Sequence, residues 1–333
     1  MVISSVAQQT DRPLHHTDDG FRNPFPTYED RGFGDFLQWS VIDRIRGDKP
    51  VKPDSYNFEY IKNDGGFLRQ NESEFTVTWI GHSTLLIQID GLNILTDPIW
   101  SDRCSPFQFM GPKRHVPPGV AFEDLPPIDI VIISHNHYDH LDAEFVESLP
   151  NKRDIEVVVP LGIGDFFRER DFIKIHELDW HHAVTIGDLK FNSNPMVHFS
   201  GRGLFDKNET LWCSWSILSF NMKLFFAGDT AYSPTIFKQI GAELGGFDYA
   251  LLPIGTYGNR KYGYNNHMNP KESFQAGLDL KARNMIAIHW GTIDLSEEPL
   301  FEPAELFTKV ALEKHFDPKR LWIMKIGGTR VLE

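Results

Sequence analysis

The sequence predicts a mixed α/β fold whose chemistry sits at the ends of its strands. Short apolar runs of strand length recur, among them Ile128–Ile133, Leu224–Ala227 and Met285–Ile288. Runs of this length bounded by turn signals read as buried strands. Several of them end on a metal-type ligand, and segments of helical spacing, Leu141–Leu149 and Glu302–Phe316, lie among them.

The elements follow in order from about residue 71. Phe75–Ile80 and Thr84–Ile89 are strand-like, Asp90-Gly91 is a strong two-residue hairpin turn, and Leu92–Thr96 returns. Val157–Pro160, Leu189–Val197, Leu211–Ser219, Lys223–Ala227 and Tyr249–Ile254 supply further strands. Asn269-Pro270 combines a capping side chain with a first-turn proline and starts a helix. Residues 1–70 hold proline, glycine and charge without strand alternation, so they are expected to be an extension that packs on a catalytic domain spanning 71–333. Within the extension, Phe33, Phe36, Leu37, Trp39, Val41, Ile42 and Ile45 have near-helical spacing. A helix covering the core is the preferred reading, and an amphipathic element touching lipid is the alternative.

Composition narrows the function. At 333 residues and 41% hydrophobic the chain can build a sizeable core. Its net charge of −13 argues against nucleic-acid binding, which needs a basic face, and against broad attraction to anionic membranes. A zwitterionic lipid surface or a local basic patch remains compatible. The two cysteines, Cys104 and Cys213, have no zinc or redox spacing and are expected to be reduced thiols. The opening residues lack a basic stretch before an apolar one, and no run reaches transmembrane length. The expected location is the cytoplasm, with peripheral membrane contact allowed.

The most informative stretch is Ser134-His135-Asn136-His137-Tyr138-Asp139-His140, which follows the apolar run at 128–133. Three imidazoles and a carboxylate this close each need a partner if buried, and clustering gains them little without a cation. Alternation sends His135, His137 and Asp139 to one side, while a turn at Asp139-His140 can aim His140 at a neighbouring point. Two adjacent cations suit that geometry. Further ligands should then stand at other strand ends, because zinc takes about four donors and an open position must remain for water. His198, Asp229 and His289 each end such a run.

The HxHxDH pattern in this order resembles the metallo-β-lactamase superfamily. Trp79–Thr84, Leu95–Ile99, Met110-Gly111-Pro112-Lys113-Arg114, Ser134–Asp142, Phe225–Thr230 and Ala287–Thr292 are more narrowly similar to the N-acyl-phosphatidylethanolamine-hydrolysing phospholipase D family. The likeness covers about residues 75–333. It implies a four-layer αββα sandwich carrying two zinc ions, with iron or manganese possible. By resemblance, His135, His137 and His198 hold the first metal, Asp139, His140 and His289 the second, and Asp229 bridges them. A cation lowers the pKa of its water to about 7, so the expected nucleophile is hydroxide, oriented by Asp139.

The resemblance also implies a substrate, N-acyl-phosphatidylethanolamine or a related glycerophospholipid, cleaved to phosphatidic acid and an N-acylethanolamine. His267, in a loop before the helix at 270, is expected beside the substrate, where an imidazole can assist the leaving oxygen. Asp97 reads equally as a support for the metal loop or as a turn former before Pro98. His82 reads slightly more as a buried strand histidine than as a support. Arg202 and Arg260 read as surface charges, with anion contact as a weaker option. Another metal-dependent hydrolase of the superfamily, acting on a lactone or small phosphodiester, is the first alternative. A non-enzymatic metal or lipid sensor is the second. A homodimer is compatible with the sequence.

Overall fold

The computed structural model describes residues 12–24, 58–258, 265–293 and 295–333. Two seven-stranded sheets face each other. In the first, β3 (Thr76–Gly81), β4 (Thr84–Ile89) and β5 (Leu92–Thr96) form an antiparallel meander, because Asp90 at positive φ and Gly91 supply the tight turn. β6 (Ile130–Ile132), β7 (Glu156–Pro160) and β8 (Lys174–Leu178) then add in parallel, and β16 (Thr329–Val331) closes the other edge against β3.

The second sheet has a similar plan. β9 (Ala183–Ile186), β10 (Leu189–Asn194), β11 (Ser214–Leu218) and β12 (Lys223–Phe226) are antiparallel, and β13 (Phe247–Pro253), β14 (Ala282–Ile288) and β15 (Leu321–Trp322) continue in parallel. Side chains of both sheets, including Trp79, Leu85 and Ile87 from one and Phe191, Trp215 and Phe225 from the other, share one buried core. Facing sheets that bury their inner residues in this way are held chiefly by apolar area removed from water.

Helices cover the outer faces. Phe145 and Val146 of α2 (Ala143–Ser148) and Phe167 of α3 (Gly164–Arg168) pack with Leu86, Leu95 and Val131 on the back of the first sheet. α4 (Pro234–Glu243), α5 (Pro270–Asp279) and α6 (Glu302–Glu313) lie on the second through Phe237, Phe274 and Phe307. α5 starts at Asn269 with the expected cap: the side chain accepts from Glu272 N while Glu272 bonds back to Asn269 N. The fold is therefore the expected α/β sandwich of four layers. No described helix is long and apolar enough to cross a membrane.

The segment before β3 is seen in two pieces. Residues 12–24 carry a short hairpin, β1 (His16–Thr17) and β2 (Gly20–Phe21), and α1 (Gly66–Gln70) precedes the first sheet. The helical reading of residues 33–45 lies outside the described residues, as does Arg260. Cys104 and Cys213 are both buried and free.

Candidate metal centre

Six strand ends converge on one edge of the sandwich. Parallel strands expose their carboxyl ends on one side, which is where open α/β sheets gather ligands. β3 ends before His82, β5 before Asp97, β6 before Ser134-His135, β12 before Asp229 and β14 before His289, while His198 follows β10. His82, Asp97 and His289 all hold positive φ, at 55°, 34° and 58°. Such backbone is uncommon for non-glycine residues and concentrates at functional sites. Gly228, also at positive φ, lets Asp229 approach the metal loop, since a Cβ there would stand 2.4 Å from Ser134 Cβ.

The loop after β6 turns as expected at its end. His140 N and Leu141 N both donate to His137 O, at 3.0 and 2.9 Å. That turn divides the loop's candidate ligands into two groups. His135, His137 and His198 form one, with His135 Nε2 2.8 Å from His137 Nδ1 and His198 Nε2 3.4 Å from it. Asp139, His140, His289 and His82 form the other. Asp139 therefore leaves the side that simple alternation gives it, because the turn at 138–140 ends the extended backbone. Asp229 stands between the groups: Oδ2 is 3.1 Å from both His140 Nε2 and His289 Nε2, and 3.9 Å from His198 Nε2.

Asp97 and His82 join this constellation. Asp97 is fully buried, accepts from Ser134 N and Ser134 Oγ at 2.7 and 2.6 Å, and contacts His140 Nδ1 at 2.6 Å. It fixes the ring so that Nε2 faces Asp229, which is the supporting role and not only a turn. His82 Nε2 lies 3.0 Å from Asp139 Oδ2. The sequence underweighted His82 because a histidine after a strand looks like any buried polar residue, and only its pairing with Asp139 reveals it.

His267 lies at the rim, with Nδ1 3.6 Å from Asp229 Oδ2 and 17% of its side chain exposed. Arg202 is not a surface charge. Its Nη1 donates to Asn136 O and Leu141 O at 2.8 and 2.7 Å, and the guanidinium covers the Tyr138 ring at 4.0 Å. It braces the ligand loop from outside, using carbonyls that sequence spacing cannot indicate. His181 and His182 are exposed at a turn.

The electrostatics match a cation-binding pocket. Burial, together with neighbouring imidazoles, holds His135 well below its ordinary pKa and brings His137 to about 3. Burial outweighs Asp229 at His198, bringing it to about 4. At His289 burial is overcome by Asp229 and Asp139, which push it up to about 9, and His140 moves well upward for the same reason. Burial would raise Asp139 and Asp229, yet the charge of His140 and its neighbours keeps both well below the usual carboxylate range. Asp229 Oδ1 is buried without a hydrogen-bond donor among the described residues. A buried carboxylate oxygen with no donor, beside imidazole nitrogens that converge on the same carboxylate from several strand ends, fits divalent cations held by mixed N and O donors.

Comparisons with known proteins identify the family. The family model described as the β-lactamase superfamily domain matches residues 92–290. An uncharacterised protein of Mycobacterium tuberculosis is 38% identical over 94% of this chain and 83% of its own. N-acyl-phosphatidylethanolamine-hydrolyzing phospholipase D 1 of Caenorhabditis elegans is 38% identical over 71% of this chain and 69% of its own. Among solved structures, a possible metal-dependent hydrolase of Veillonella parvula superposes with a TM-score of 0.62 at 14% identity, covering 78% of this chain and all of that one, a likeness of fold. The chain thus belongs to the β-lactamase superfamily, within the family of N-acyl-phosphatidylethanolamine-hydrolysing phospholipase D, and is a metal-dependent hydrolase.

Proposed function

We propose that this hydrolase cleaves the phosphodiester of N-acyl-phosphatidylethanolamine or a related glycerophospholipid, releasing phosphatidic acid and an N-acylethanolamine. The observation that carries the reading is the convergence of seven residues from distant parts of the chain, His135, His137, Asp139, His140, His198, Asp229 and His289, on one buried edge. The relative from C. elegans, named for this activity, supports the substrate class. In this reading residues 71–333 are the catalytic unit and 1–70 an extension, working at the periphery of a membrane.

His135, His137 and His198 would hold one zinc ion, Asp139, His140 and His289 the other, with Asp229 between them; iron or manganese would suit the same donors. Bound there, the ions supply positive charge for the phosphate oxygens and make water acidic enough to attack at neutral pH. The chain's own groups do the rest. Asp97 locks His140, and Arg202 fixes the carbonyls of the ligand loop. Asp139, its charge favoured by His140, orients the attacking water as a hydrogen-bond acceptor. A new P–O bond forms as the bond to the ethanolamine oxygen breaks, and the proton ends on that leaving oxygen. Burial keeps His267 well below its ordinary pKa despite Asp229. It therefore serves as a neutral N–H donor that hydrogen-bonds the departing oxygen.

The test is a lipid panel with the zinc-supplemented protein. Released N-acylethanolamine with phosphatidic acid supports the reading. Turnover of a small soluble phosphodiester with no lipid product would reject the substrate class.

A further inference from the structure

Two braced loops beside the metal centre hold large apolar side chains out in water. The first runs from Arg103 to Lys113. Arg103 Nη1 donates to Gly111 O at 2.5 Å, and Cys104 N donates to Pro112 O at 3.0 Å, which closes the loop and leaves Phe107 and Phe109 at its tip. Their rings stack at 5.4 Å, yet Phe109 is 78% exposed. The second loop follows His198. Asp206 accepts from Arg202 N and Gly203 N at 2.8 and 2.7 Å, a turn that projects Leu204 and Phe205, 68% and 93% exposed.

The roots of both loops meet at one residue of the ligand loop. Tyr138 packs against Cys104 with Ile99 and Ile293, and the Arg202 guanidinium lies over the Tyr138 ring. Both apolar tips therefore belong to loops rooted on the segment bearing His135 to His140. Basic residues accompany them, Arg103 and Lys113 in one loop and Lys207 in the other, on a chain whose net charge is −13. Large apolar side chains are normally buried, and a polar brace that keeps several of them exposed beside cationic groups suits the interface of a phospholipid bilayer.

We propose that these two tips dip into a phospholipid surface and seat the metal centre over it. The choice of a bilayer as occupant rests on the lipid reading of the site above. Rings and aliphatic chains would enter the acyl boundary, while Arg103 and Lys113 meet lipid phosphates. A substrate drawn from the bilayer would then reach the metals between the tips without crossing water.

The experiment is vesicle flotation of the zinc-supplemented full chain with phosphatidylcholine vesicles, with and without phosphatidylglycerol. It compares wild type, Phe107→Ser/Phe109→Ser, Leu204→Ser/Phe205→Ser and a control, Phe220→Ser, at an exposed turn after β11. Each tip variant should partition about tenfold more weakly or worse, with the control unchanged. All should hydrolyse a soluble phosphodiester equally, which shows that they are folded. Equal flotation of all four proteins, or wild type that stays unbound, would overturn the proposal. So would a concentration-dependent dimer that the tip substitutions abolish while vesicle binding persists. Tip-dependent flotation without release of N-acylethanolamine would uphold the docking surface and reject the substrate reading, whereas lipid cleavage by wild type that never floats would do the reverse.

Discussion

Asn23 and His198 exchange two hydrogen bonds: Asn23 Nδ2 donates to His198 O at 2.9 Å, and His198 N donates to Asn23 Oδ1 at 3.0 Å. The His198 ring is held from the far side, with Nδ1 3.1 Å from Asn266 O, so Nε2 points at His137. A residue of the amino-terminal hairpin segment thus fixes the backbone of a candidate ligand. Asn23→Ala should lower metal affinity about tenfold, in the range of changes to groups that orient ligands. Competition with a chelator measures it, and an affinity equal to wild type would remove Asn23 from the site's support.

Asp97→Asn keeps the shape of the buried acceptor but loses the charge opposite His140. About 10–100-fold weaker binding of one metal of the pair is expected. Elemental analysis after graded dialysis should show the His140 ion leaving earlier than from wild type, and retention of both ions equal to wild type would contradict the supporting role of Asp97.

Gly228→Ala should be costly. Its added Cβ would meet Ser134 Cβ at 2.4 Å in a backbone already at positive φ. Overpacking of this kind costs about 1–3 kcal/mol, with the left-handed backbone adding to it. Denaturant unfolding reads the loss, and a change under about 0.5 kcal/mol would show that the metal loop yields easily.

The amino-terminal hairpin is tied to the core at Asp179, whose Oδ1 and Oδ2 lie 2.6 and 2.7 Å from Nε2 of His15 and His16. Burial raises Asp179, but the hydrogen bonds from the two histidines outweigh it and the carboxyl sits below its ordinary range. His15 is also lowered, by burial above all. Both shifts act in one direction. The unfolded form binds protons more readily, so the attachment is stronger at higher pH. His15 begins to weaken it as pH falls below 6.5, its unperturbed value, and Asp179 weakens it further below about 4. The hydrogen-exchange protection factors of residues 12–24, taken relative to the intrinsic rate at each pH, should fall from pH 7 to 5. Protection that is constant or grows on acidification would reverse the sign.

Much of this architecture is legible because local chemistry and tertiary packing agree. Thr84–Ile89, Leu92–Thr96 and the cap at Asn269 stand where turn and capping residues put them. The candidate ligands stand out in the sequence because histidine and aspartate break apolar runs. β8 and β9 do not, since neither buries a residue fully: β8 is half-buried after its exposed first position, and β9 alternates between exposed and half-buried ones. α4 begins on Ser233-Pro234, the same kind of start as Asn269-Pro270, but Ser233 makes no side-chain cap bond. Asn23 and Arg202 act on backbone atoms 175 and 61–66 residues away, and no periodicity encodes such contacts.

In the proposed reaction the residues gathered around Asp229 direct water to phosphorus in a lipid phosphodiester. The most direct measurement is hydrolysis of N-acyl-phosphatidylethanolamine by the zinc-supplemented protein in water enriched in heavy oxygen, with mass analysis of both products. The account predicts label in the phosphate of phosphatidic acid, none in the N-acylethanolamine, and loss of both products in Asp139→Asn. Label in the N-acylethanolamine, or undiminished turnover by Asp139→Asn with normal metal content, would contradict it.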